Sequence, residues 1–272
     1  MVGARLFIVC TPRTGNTWLR KLLAGNLDLA EHPAHTLDEL DWERLEPGFA
    51  ISMHVHATPQ LVAFLAARGV RVIVTVRHPL DVLISILAWT QHQRQTRRWV
   101  GGDGGDESSL FGATPTDRAF LDYALSERAG VLLGVSVEWL AHAAAVVRYE
   151  ELVADTTGVL NALIASLGAP TERPISHVIA QNSMEKLRAI HTENAHHFWR
   201  GERGIWYRLL PREVADAIAQ RHRAVFERLG YACDADPNLT SELAKKNWAA
   251  LSVAPDEPAT QSARPKFSLF RR

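Results

Sequence analysis

An apolar run, "RLFIVC" at 5–10, passes through the turn "TPRTG" directly into the amphipathic stretch "NTWLRKLLAGNL" at 16–27. Strand, tight turn and helix are joined within a few residues, which constrains the chain more than any other feature. A helix entered this way offers N–H groups without intrahelical partners, and the positive end of its dipole, at the strand's C-terminal end. That is a ready anion site. The loop departs from the Walker A pattern, which has Gly where this chain has Cys10 and Lys where it has Asn16. Its positive charge is Arg13, so the pattern points to a phosphate more than to a nucleoside triphosphate.

Three further segments have the short, β-branched, apolar character of buried parallel strands: "FAISMH" at 49–54, "RVIVTV" at 71–76 and "AAVVRY" at 144–149. Helical patterns follow at 58–69, 78–93 and 158–169. Alternation of this kind predicts an α/β fold, three-layer and P-loop-like, with a central parallel sheet flanked by helices. Right-handed crossovers then gather the strand C-termini, and any ligand, along one edge. The sequence predicts a single helix over 211–231 and a mobile, Gly-rich surface loop over 101–117. It also predicts one domain over 1–234 and a polar, loosely ordered tail over 235–272.

Composition narrows the partners. Lys plus Arg equals Asp plus Glu at 30 each, so no net basic field argues for nucleic acid. No apolar stretch approaches the 18 or so residues of a membrane span. Two cysteines in no metal or CxxC spacing argue against a disulfide framework or a zinc site. The first core strand begins within a few residues of Met1, leaving no room for a signal peptide, so the expectation is a cytoplasmic protein. Only five basic residues are lysines (Lys21, Lys186, Lys245, Lys246 and Lys266), so an Arg can stand where another chain has Lys.

The second strand–helix junction, "VTVRHPLDVLISIL", places Arg77 at a strand end, with Ser85 about two helical turns on. Pro79 suits the first turn, and Asp81 complements its positive end. Arg13 and Arg77 at the ends of strands in one sheet suggest a ligand with two separated phosphates. A base is expected after "FAISMH", where the chain reads "HVHATP". Strand alternation puts His54 and His56 on one face, so geometry does not choose between them. The pair could ligate metal, but no third ligand stands at diagnostic spacing.

Four segments together carry a resemblance. "TPRTGNTWL" is similar to the 5′-phosphosulfate loop "YPKSGTTWL" of sulfotransferases that use 3′-phosphoadenosine 5′-phosphosulfate (PAPS). "VRHPLDVLIS" resembles their 3′-phosphate motif, "VVRYEELVAD" their "RYEDLxxD", and "FWRGERGIW" their "FRKGxxGDW" loop. The resemblance implies a metal-independent enzyme with PAPS as sulfuryl donor and 3′-phosphoadenosine 5′-phosphate (PAP) as product. It places Arg13 where that family has the Lys that stabilises the leaving oxygen. Thr14, Gly15, Asn16 and Thr17 then wrap the 5′-phosphate. Trp18, Tyr149, Ser183 and Met184 lie near adenine, and Arg77, Ser85, Arg200 and Gly201 at the 3′-phosphate. Alignment with the family's "K-x-H-x-P" puts the catalytic histidine at His56 and His54 at the lysine, with one residue more before Pro59. Trp199 replaces an Arg of the late loop.

The expected reaction is sulfuryl transfer to a hydroxyl of a small-molecule, lipid or carbohydrate-type acceptor. Two alternatives stand beside it. A P-loop small-molecule kinase would want Lys at 16 and an acidic Mg²⁺ ligand at a strand end, where this chain has Arg77. A non-catalytic nucleotide-binding protein of the same fold would explain the absent lysines. Acceptor contacts are expected from segments 57–65, 90–128 and 186–199.

Overall fold

The structure, a computed structural model, describes residues 3–92, 99–100, 107–169, 171–190 and 200–252. Its sheet has five parallel strands: β1 (Arg5–Cys10), β2 (Ala30–Pro33), β3 (Phe49–Met53), β4 (Arg71–Val76) and β5 (Ala145–Arg148). Their order is β2-β3-β1-β4-β5, so the chain leaves β1 toward one edge and then returns to build the other. Such a reversal opens a crevice at the strand C-termini. The expected α/β architecture is present. β2 escaped the sequence pattern because "AEHP" is a polar edge strand with no apolar face to read.

Alternation along each strand divides the core. Leu6 and Ile8 of β1 pack with Ala50, Ile73 and Val147 beneath α1 (Asn16–Leu27). Phe7 and Val9 face the other way, with Ile51, Met53, Val72 and Val74. That second face is covered by α2 (Pro59–Ala67), α3 (Pro79–Thr90), α4 (Arg118–Ala124) and α5 (Glu127–Trp139). α3 is buried nearly all round, which is why "PLDVLISILAWT" shows hardly any polar face. After β5 come α6 (Tyr149–Ala154), α7 (Thr156–Leu167), α8 (Ile175–Gln181) and α9 (Met184–Ile190).

Three expectations are corrected. The helix expected over 211–231 is broken into α10 (Arg212–Arg221) and α11 (Arg223–Leu229). His222 leaves the helical conformation between them, and its buried Nε2 donates to the Ala124 carbonyl at 2.7 Å. Residues 107–117 are only partly solvated: Leu110 and Ala113 are buried, whereas Ser108, Ser109, Phe111 and Gly112 are exposed. Glu107 is wholly buried and accepts from Arg128 at 2.8 Å, while 101–106 lie outside the described residues.

The third correction concerns the tail, which forms α12 (Ser241–Ser252) before the described residues end. Thr240 starts the helix, its Oγ1 accepting from Leu243 N at 3.2 Å. Ala244 and Trp248, one turn apart, are buried against the domain. Among the described residues no helix is long and apolar enough to cross a membrane.

Candidate active site

The loop after β1 is fixed from below. Thr11 N donates to Ser136 Oγ at 2.7 Å, and that hydroxyl donates to the Thr75 carbonyl at 2.9 Å. Thr11 Oγ1 donates to Leu133 O at 3.1 Å, so the loop is tied to both α5 and β4. Thr14 was expected to give its hydroxyl to a phosphate. It does not: the group is buried, donates to Thr11 O at 2.9 Å and lies 2.7 Å from Thr75 Oγ1. The loop needs that hydroxyl for its own closure.

Arg13 and Gly15 both take left-handed backbone, with φ of 69° and 87°. A Cβ on Gly15 would come within 2.7 Å of Tyr149 Cδ2, so only glycine fits beneath that ring. Gly15 also gives α1 no side-chain cap, and the first turn has no acidic residue. The positive end of the helix dipole is left to the cleft.

That cleft encloses about 750 Å³ of empty space, part of it open to solvent, at the C-terminal ends of β1, β3, β4 and β5. Its walls include Arg13, Gly15, Asn16, Thr17 and Trp18 from the loop and α1. Arg77 and Ser85 come from the β4–α3 unit, Tyr149 follows β5, and Met184, Arg200 and Gly201 close the far side. Twelve of the anticipated positions therefore meet in one place, His54 among them. Ser183 is not part of the wall; its Oγ accepts from Lys186 N at 3.3 Å and starts α9.

The two arginines are arranged differently from expectation. Ser85 Oγ accepts from Arg13 Nε at 3.1 Å, so the serine orients Arg13, whose guanidinium also sits 5.0 Å over the Trp89 ring. Arg77 donates to Arg13 O at 3.1 Å and to Glu202 O at 3.0 Å, and lies 4.4 Å over Tyr149. Its buried Nε has no hydrogen-bond partner among the described residues. Burial, then the neighbouring Arg77, lowers the Arg13 pKa to about 10, which leaves it charged at neutral pH. Two partly desolvated cations side by side favour a bound anion.

Asp81, wholly buried, has a larger role than easing a helix terminus. Its carboxylate accepts from Gly204 N at 2.7 Å and Trp206 N at 3.0 Å, and approaches Arg77 at 3.9 Å. The segment from Arg200 to Arg208 is thereby fastened to α3. Gly201 in that segment has φ 69° and would crowd Met184 with any Cβ. Phe198 and Trp199 lie outside the described residues.

The histidines separate. β3 ends at Met53, so strand alternation no longer governs the residues beyond it. His54 lines the cleft, and its Nδ1 donates to the Cys10 carbonyl at 2.8 Å. Burial lowers its pKa to about 4, against the opposing effect of that hydrogen bond. Burial likewise pushes the adjacent Cys10 thiol up to about 11, so it stays protonated. His56 is outside the cleft wall, and its Nδ1 donates to the Glu138 carboxylate at 3.0 Å. Glu138 also accepts from Ala57 N at 3.1 Å, and Trp139 Nε1 donates to Val55 O at 2.7 Å. The C-terminal end of α5 thus pulls His56 outward and pins the stretch that carries His54.

Sequence reasoning missed Trp89, Glu202 and Ile205 of the wall, whereas Trp99 falls in the segment 90–128 expected to contact acceptor. Trp89 was findable, since it stands one helical turn beyond Ser85 on α3 and so shares its face. Of the segments expected to contact acceptor, 57–65 contributes nothing to the wall, and 93–98, 101–106 and 191–199 lie outside the described residues. No group of three or more His, Cys, Asp or Glu that could hold a metal occurs among the described residues.

Fold and cleft together define an α/β domain in which an open helix start, three arginines and a neutral histidine surround one cavity. Residues 4–230 match the family described as Sulfotransferase domain, and the chain belongs to that family. Among solved structures, a mouse sulfotransferase complexed with PAP superposes with a TM-score of 0.62 at 18% identity, covering 84% of this chain and 89% of that one. Retinol dehydratase in complex with androsterone and inactive cofactor PAP gives 0.53 at 13%, covering 86% and 83%. The same enzyme with retinol and PAP gives 0.53 at 13%, covering 87% and 83%. No curated protein sequence matches at a significant level.

Proposed function

We propose that this sulfotransferase moves the sulfuryl group of PAPS to a hydroxyl of a small-molecule acceptor, with His54 as general base. The observation that carries the reading is the Cys10 carbonyl at His54 Nδ1. A carbonyl only accepts, so the ring keeps its proton on Nδ1 and presents the lone pair of Nε2. The low pKa keeps that lone pair available throughout the neutral range.

In the proposed step, Nε2 takes the acceptor's hydroxyl proton as its oxygen attacks sulfur. The sulfur–oxygen bond to the 5′-phosphate breaks, and the electron pair remains on the phosphate oxygen. Arg13 and the start of α1 stabilise the charge that develops there. Transfer of this kind depends on alignment and charge stabilisation more than on covalent help, so a weak base suffices. Arg77 and Arg200 hold the 3′-phosphate, with Trp18, Tyr149 and Met184 around the base. Trp18 Nε1 is fixed on Asn182 O at 3.0 Å, which sets the plane of its indole. Asn16, Thr17 and Gly15 remain the 5′-phosphate cradle, and Ser85 acts by aiming Arg13.

The similar solved structures carry PAP, androsterone and retinol, which supports a nucleotide donor and a small acceptor. Trp89 and Trp99, 6.4 Å apart in the wall, suit an acceptor with a flat apolar body. Kinase chemistry finds less support: both oxygens of Asp81 are engaged by backbone N–H groups, and Asn16 occupies the Walker lysine position. The test mixes the protein with PAPS and a panel of phenols and sterols without added metal. A mass gain of one SO₃ unit on an acceptor, with release of PAP, is expected. Group transfer only from ATP with Mg²⁺ would overturn the reading.

A further inference from the structure

The family match ends at residue 230, yet α12 beyond it touches the cleft's far wall. Arg200, which lines the cleft, donates from Nη2 to the Leu251 carbonyl at 2.8 Å. Leu251 is in the last turn of α12, where carbonyls lack intrahelical partners and the dipole is negative, so a guanidinium is favoured there. At the other end of the segment, Asn247 Nδ2 donates to Arg208 O at 2.8 Å. α12 therefore grips both ends of 200–208. Asp81 holds its middle through Gly204 and Trp206, and Arg77 holds Glu202.

We propose that α12 is a positioning element for nucleotide binding, with Asn247 and the Leu251 carbonyl holding segment 200–208 so that Arg200 faces the donor's 3′-phosphate. The inference rests on the PAPS reading of the cleft. Arg200 spends one of its guanidinium donors on Leu251 O and keeps the rest for an anion. Trp248 and Ala244 anchor the helix in the core, so the grip is rigid. A segment ordered in advance loses less entropy when ligand arrives, which raises affinity without adding a contact to it. Asn247 is not part of the cleft wall and its side-chain amide bonds Arg208 O, so its effect passes through Arg208 and the segment.

The test uses the full chain with Asn247→Asp, which loses the amide donor, and Asn247→Ala, which favours helix and guards against failure to fold. PAP binding is measured by calorimetry, and amide exchange across 200–208 in the ligand-free protein. Expected are a loss of PAP affinity of about fivefold, the size of one hydrogen bond, and faster exchange confined to 200–208. The melting temperature and the acceptor KM should stay unchanged. PAP affinity within twofold of wild type in the folded variants would overturn the proposal, as would affinity loss that merely tracks global destabilisation. If the wild-type protein itself fails to bind PAP, the PAPS reading fails instead.

Discussion

The Nδ1 atom of His54 lies 2.8 Å from the carbonyl oxygen of Cys10, the last residue of β1. The strand that leads into the Arg13 loop therefore also sets the tautomer of the neighbouring histidine. His54→Ala should lower kcat by roughly 10²–10⁴, the usual contribution of a general base, while PAP affinity is retained. His56→Ala should cost less than about tenfold, since it disturbs only the Glu138 tether and not the proton acceptor. Steady-state kinetics with PAP calorimetry on both variants checks this. Loss of turnover in the His56 variant alone would move the base there.

The pH profile depends on the same ring. Burial holds the His54 pKa at about 4, against an ordinary 6.5, and the proposed base works in its neutral form. The kcat/KM should therefore rise with pH through about 4 and be flat across the neutral range. Linkage has a definite sign here. Between 6.5 and about 4 the unfolded chain binds a proton on this residue that the folded chain refuses. Its contribution to stability is complete above 6.5 and is lost as the pH falls toward 4. Denaturation at several pH values should show a shallower acid limb for His54→Ala than for wild type.

Gly15 sits beneath Tyr149 with φ 87°, and a Cβ there would approach the ring to 2.7 Å. Gly15→Ala should cost about 1–2 kcal/mol from the left-handed backbone alone, before any displacement of the ring. Tyr149 in turn carries Arg77 at 4.4 Å, so PAP binding should weaken together with the melting temperature. A thermal scan with and without PAP reads both effects.

Asp81→Asn replaces one accepting oxygen with an N–H₂ that must face Gly204 N or Trp206 N. The unmatched donors should cost about 1–3 kcal/mol. Segment 200–208 would loosen, so PAP affinity should fall while the KM for acceptor changes little. Titration of PAP, alongside acceptor kinetics, separates the two.

The fold was legible because strand and helix periods alternate cleanly around two tight junctions. The gathering of Arg13, Gly15, Arg77 and Tyr149 in one cleft was legible for the same reason: all follow strands of one parallel sheet. What escaped depended on hydrogen bonds that periodicity does not encode. His54 and His56 part company because β3 stops at Met53 and Glu138 captures the second ring. Thr14 turns inward to Thr75, and His222 breaks a helix to reach Ala124. α12 had a readable stripe in Ala244, Trp248 and Leu251, obscured by the Pro-rich, polar sequence around it.

The central claim is that the cleft recognises an adenine nucleotide by two separated anions, one of them the 3′-phosphate between Arg77 and Arg200. Calorimetry of PAP against ADP, in chelator and without metal, tests it most directly. ADP keeps the base, ribose and 5′-phosphate but leaves the 3′-site cations without a partner, at about 1.5–3 kcal/mol for each charged hydrogen bond lost. PAP should bind at least about a hundredfold more tightly than ADP. Equal affinities, or binding of either nucleotide only with Mg²⁺, would contradict the claim.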